Sequence, residues 1–115
     1  MKIVINTCYG GFGLSEKATM LYGKKAGLNI IAVPDKKFKS IINYYLNEVH
    51  DDNYFVDWDI KRDDPILVEV VEELGVESNG EDAKLKVVEI PDDVVNWRLE
   101  EYNGRERICE GREWQ

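Results

Sequence analysis

Three glycines in four positions, Gly10, Gly11 and Gly13, follow the β-branched run Ile3-Val4-Ile5 and precede Ser15, a good helix N-cap. Such a loop needs backbone freedom, either for positive φ or for close approach to another group. Opening a helix, its N–H groups and the helix dipole form a place for an anion. Thr7, Cys8 and Ser15 could add side-chain contacts, and Lys17 in the first helical turn could reach the same anion. The spacing fits neither the Walker A loop nor the G-x-G-x-x-G fingerprint. The same glycines would equally let the first helix pack closely on the first strand. Tyr9 and Phe12 add rings able to stack on a nucleobase, to sit at a subunit interface, or to pack on the sheet end. Trp58 and Trp97 are further stacking candidates, with core or interface packing as the plainer role.

Other constellations are weaker. Cys8 near a helix N-terminus would be a nucleophile of lowered pKa, but its base would have to be His50, the single histidine, and no spacing links them. His50 is equally explained as a residue favourable at a helix C-terminus. Asp57, Asp59, Asp63 and Asp64 lack the spacing of a calcium loop. No metal and no cofactor is expected. Trp114, two positions after Arg112, lies close enough to the end of the chain that a neighbouring subunit would be a reasonable host for it.

The elements that must position these residues follow from periodicity. Lys2–Asn6 reads as a strand and Glu16–Ala26 as a helix closed by Gly27. Leu28–Val33 reads as a second strand ended by Pro34. Phe38, Ile41, Ile42, Tyr45, Leu46 and Val49 fall at helical spacing, which predicts a helix over Lys36–His50. Tyr54–Ile60 alternates as a half-buried strand. Asp64 and Pro65 start a third helix, with Ile66, Leu67, Val70, Val71 and Leu74 as its stripe and Gly75 as its end. Lys84–Ile90 is a strand. Val95–Tyr102 and Arg105–Glu110 flank Asn103-Gly104, a strong hairpin signal. The expectation is one α+β domain over residues 1–115, a mixed α/β sandwich. It has about six strands and three helices, the last three strands forming an antiparallel meander.

At 115 residues, 43% hydrophobic and 33% charged, the chain can fill one small core. Its net charge of −8 divides into +4 over residues 1–50 and −12 over residues 51–115. That balance disfavours a nucleic-acid polymer as partner and leaves room for a small anionic ligand. The acidic half suits solubility or a basic partner surface. The two cysteines, Cys8 and Cys109, do not demand an oxidising compartment. No apolar run suits a signal peptide or a membrane helix, so a soluble, cytoplasmic protein is expected.

The run Ile5-Asn6-Thr7-Cys8-Tyr9-Gly10-Gly11-Phe12-Gly13-Leu14-Ser15 resembles the opening of a group of small proteins encoded by bacteriophages and prophages. The likeness continues at residues 59–65, 70–75 and 83–94 and at Glu101-Tyr102-Asn103-Gly104; residues 24–53 carry no part of it. The resemblance implies a viral accessory protein in the bacterial cytoplasm. Small phage proteins of this size often block host immunity, and some sequester signalling nucleotides without cleaving them. Such proteins are usually oligomers with ligand sites at or near subunit interfaces.

Three functions follow as expectations. The first is a non-enzymatic homo-oligomer that sequesters a cyclic nucleotide-type signal at Thr7, Cys8, Tyr9, Gly10, Gly11, Phe12, Gly13, Ser15 and Lys17. The second is an acidic inhibitor of a host protein, a DNA mimic presenting Glu69, Glu72, Glu73 and Glu77. The third is a nucleotide-processing enzyme using Cys8 or an aspartate pair.

Overall fold

The computed structural model describes residues 1–38 and 40–109. Its elements are β1 (Lys2–Asn6), α1 (Glu16–Ala26), β2 (Ile30–Pro34), β3 (Ile42–Leu46), α2 (Pro65–Leu74), β4 (Leu85–Glu89), β5 (Arg98–Tyr102) and β6 (Arg105–Cys109), with short 3-10 turns at Asp51–Asn53, Asp57–Asp59 and Gly75–Ser78. The architecture is α+β, with the six strands in three antiparallel pairs, β1–β4, β2–β3 and β5–β6. Among the described residues no helix is long and apolar enough to cross a membrane.

The apolar run of β1 places the strand at the centre of the molecule, buried from Ile3 to Asn6. Successive side chains of a strand point to opposite faces. Val4 joins the helices through Leu14, Ala18, Tyr22, Leu67, Val70 and Val71. Ile3 and Ile5 join Ile90 on the other side, where Val88, Trp97, Leu99 and Ile108 pack. The helices thus cover one face of β1–β4 and the β5–β6 hairpin covers the other. Ser15 Oγ accepts from Ala18 N at 3.1 Å and caps α1, and Asp64 caps α2 by accepting from Ile66 N at 2.8 Å. Tyr22 Oη donates to the same Asp64 carboxylate at 2.7 Å and ties the two helices together.

Three expectations are corrected. Residues 36–50 are not a helix among the described residues: Asp35 N donates to Ile41 O at 2.8 Å, and Ile42–Leu46 pairs with Ile30–Pro34. The apolar spacing was compatible with a helix, but Ile42, Tyr44 and Tyr45 favour a pleated surface. The Asp35 carboxylate accepts from the Lys37 and Phe38 amides, fixing a turn where a helix would have begun. Residues 54–60 are not a continuous strand. Tyr54 makes one bridge to Tyr45, and the chain then coils through Asp57–Asp59. Ile60 is buried while Tyr54 and Trp58 are exposed, so the alternation has no common face. Finally, the last three strands form no meander. β4 pairs with β1 in the register Ile3↔Val88, and only β5 and β6 pair with each other. The first helix, its Gly27 end, the second observed helix and the Asn103-Gly104 turn stand where periodicity put them. Helices therefore number two among the described residues, one fewer than expected. Glu110 and the Arg112–Gln115 segment with Trp114 lie outside the described residues.

Candidate functional site

The glycine loop is held by its own chain. A Cβ at Gly10 would stand 2.1 Å from Asp82 Cβ, and one at Gly104 would stand 2.3 Å from Gly11 N. Backbones of the loop, the 79–83 turn and the hairpin turn therefore touch. Gly11 has φ +98°, a conformation that L side chains rarely adopt. Leu14 N donates to Asp57 Oδ2 at 2.9 Å and Ser15 N to Ser78 O at 2.9 Å. Gly13 O accepts from Gly80 N at 2.9 Å. Lys17 pairs with Glu77 at 3.2 Å. Phe12 packs on the helix core with the Arg62 guanidinium 3.7 Å above its ring.

Asn6 organises the start of the loop. Its fully buried amide donates to Cys8 O at 2.8 Å and Gly104 O at 2.7 Å. Its carbonyl oxygen accepts from Cys8 N at 3.2 Å and Lys84 N at 2.8 Å. Its backbone N–H donates to Glu106, whose buried carboxylate also pairs with Arg62. Burying a charged side chain is costly unless it is paired and hydrogen-bonded, and Arg62 and the Asn6 backbone N–H supply both.

Between β1–β4 and the hairpin lies a cleft of about 760 Å³, lined by Ile5, Thr7, Tyr9, Lys86, Glu100, Glu101, Tyr102, Arg105, Glu106 and Arg107. Lys86 stands opposite Ile5 in the register, and Tyr102 opposite Arg105. The cleft's carboxylates are engaged. Glu100 accepts from Arg98 at 2.9 Å and from Arg107 at 2.7 Å, and Glu106 holds Arg62. Glu101 accepts from Gly104 N at 2.7 Å. A hydrogen bond from Cys109, followed by those from Arg107 and Arg98, lowers the Glu100 pKa to about 2. The Arg105 guanidinium stands 5.8 Å from the Tyr9 ring. Neither Lys86 nor Arg105 makes an ion pair among the described residues.

The predicted site residues are therefore divided. Thr7 and Tyr9 line the cleft; Thr7 Oγ1 donates to Lys84 O at 2.9 Å. Gly10, Gly13, Ser15 and Lys17 make contacts within the chain, Gly11 supplies a positive-φ position, and Cys8 is half-buried as a free thiol. Trp58 and Trp97 share a different, shallow groove of about 530 Å³ with Lys61 and Arg62. His50 caps the Asp51–Asn53 turn, its Nδ1 accepting from Asp52 N at 3.1 Å. Asp57 and Asp64 hold backbone amides. Glu69 and Glu73 share Lys25, Glu72 pairs with Lys2, and Glu77 with Lys17, so the four glutamates of the DNA-mimic reading face cations of their own chain. Sequence reasoning missed Lys86, Tyr102, Arg105 and Arg107. Their only signal was alternation along two strands, and nothing in it told that β5–β6 folds back over β1. No protein-family model matches the chain, nor does a curated protein or a solved structure.

Proposed function

We propose that the protein binds a small phosphorylated ligand of the cyclic-nucleotide type and sequesters it uncleaved, acting as an accessory protein of a bacterial virus in the host cytoplasm. The site is the cleft between β1–β4 and the β5–β6 hairpin. One observation carries the reading: Lys86 and Arg105, which make no ion pair among the described residues, bring positive charge to a cleft that Tyr9 and Tyr102 also line, while its carboxylates are already engaged. The volume of about 760 Å³ lies in the range of small-molecule sites. Two charge-assisted contacts to phosphate, at ~1.5–3 kcal/mol each, and one stacked base are enough for micromolar affinity after ordering costs. The resemblance of Ile5–Ser15 to phage-encoded proteins supports the biological setting.

Calorimetry against cyclic di- and trinucleotides and cyclic ADP-ribose isomers is the test. Binding is expected for at least one of them. Lys86→Ala and Arg105→Ala should each weaken it by about tenfold or more, and Lys17→Ala should leave it unchanged. The ligand should be recovered intact after heat denaturation. No binding at about 100 µM protein, or equal loss from Lys17→Ala, overturns the assignment.

A further inference from the structure

A second surface lies on the β2–β3 hairpin. An isolated two-stranded hairpin is marginal in water and needs an apolar face covered. Here Tyr45 is buried, stacked on Tyr54 at 4.9 Å between ring centroids. Four large side chains around it remain in water: Phe38 is 61% exposed, Ile41 50%, Tyr54 51% and Trp58 68%. Ile41, Tyr54 and Trp58 line one groove of about 310 Å³, and Phe38 sits in the adjoining turn, its carbonyl accepting from Ile41 N at 2.8 Å.

Area and charge constrain what this face accepts. Large rings bury ~150–250 Å² each, so at these exposures the three rings, with Ile41 of similar size, leave roughly 500 Å² of surface. Two such faces meeting would remove about 1,000 Å² before any polar rim is added, which reaches the size of a specific interface. The two ends of the hairpin carry opposite charge. Exposed Lys36 and Lys37 lie at the β2–β3 turn, and exposed Asp51 and Asp52 lie beyond the far end of β3, where Asp52 is 3.7 Å from His50. A two-fold axis through the patch would bring each lysine end onto the partner's aspartate end.

We propose that this face docks a second copy of the chain, Phe38 of one copy entering the groove of the other while the Lys36–Lys37 and Asp51–Asp52 ends pair across the axis. Sedimentation equilibrium of the full chain from about 1 to 200 µM tests it, with a micromolar dimer expected. Phe38→Asp and Trp58→Glu, both at exposed positions, should each raise the dimer Kd at least about tenfold without changing the circular dichroism spectrum. Lys36→Glu with Lys37→Glu should weaken the dimer, and adding Asp51→Lys with Asp52→Lys should restore it. A monomer throughout the range overturns the proposal. So does a dimer indifferent to both aromatic substitutions in folded protein, or a charge reversal that the complementary reversal does not restore.

Discussion

Asn6 and Glu100 show how much rests on single side chains. Each of the four hydrogen bonds that Asn6 makes through its amide reaches a backbone group, at Cys8, Lys84 or Gly104, and replacing it strands buried donors and acceptors. At ~1–3 kcal/mol for each group left unsatisfied, Asn6→Ala should cost about 3–5 kcal/mol by urea unfolding, more than its lost apolar contact would. Glu100 gives a pH prediction. Its folded pKa of about 2 lies below the ordinary 4.5. A lowered carboxylate pKa contributes stability above the unfolded value, and that contribution disappears as pH falls through the folded value. The difference in melting temperature between the parent and Glu100→Gln should therefore shrink between about pH 4.5 and pH 2. A constant difference across that window would remove the Cys109–Glu100–Arg107 cluster from the account.

Among elements, those framed by capping or turn chemistry were legible in the sequence, as were the strands Lys2–Asn6, Ile30–Pro34 and Leu85–Glu89; periodicity misled over residues 36–50 and 54–60. Ser15 and Gly27 bracket α1, Asp64 and Gly75 bracket α2, and Asn103-Gly104 makes the hairpin turn with φ of +51° and +91°. By contrast, the apolar spacing over residues 36–50 suited a helix, and the outcome depended on pairing with Ile30–Pro34, a contact between segments that no local pattern encodes. The site shares this limit: Thr7 and Tyr9 stood out within the loop, whereas Lys86 and Arg105 acquire meaning only from the packing of distant strands. Two substitutions test the elements. Gly104→Val forces a Cβ against Gly11 N at a positive φ and should destabilise by roughly 2–4 kcal/mol in chemical denaturation. Tyr22→Phe removes the bond to Asp64 and should cost about 1–2 kcal/mol. Burial, reinforced by that bond, raises the Tyr22 pKa to about 12. Its stabilising effect is complete below the ordinary value near 10 and is lost as pH rises through about 12, so the late end of an ultraviolet titration, to which the raised Tyr44 and Tyr45 also contribute, should lose amplitude in Tyr22→Phe.

Over the whole molecule, two small cores meet at β1, and no residue between Ile3 and Asn6 can change without touching one of them or the Asn6 network. Leu67, fully buried beside Val4 in the helix core, provides the comparison. Leu67→Ala should cost about 2–5 kcal/mol and leave the ligand binding proposed for the cleft unchanged in the folded fraction. Loss of binding in step with unfolding would agree with that. Loss of binding in fully folded protein would mean that the helix face shapes the cleft.

The pairing of Lys2–Asn6 with Leu85–Glu89 carries a consequence for how the chain is made. A ribosome delivers Ile3-Val4-Ile5 about 80 residues before its ladder partner and before the hairpin that shields it, so over that stretch of synthesis a strand buried from Ile3 to Asn6 in the folded protein has neither covering. Pairings so distant in sequence are slow to close, because loop entropy is lost before contacts compensate for it. The nascent chain therefore depends on staying dispersed until residue 109 has emerged, and the acidic composition of residues 51–115 favours that. A chain ending at Ala83 retains both helices but lacks β4 and the hairpin. It is expected to remain protease-sensitive and aggregation-prone, and limited proteolysis of the released fragment would show it.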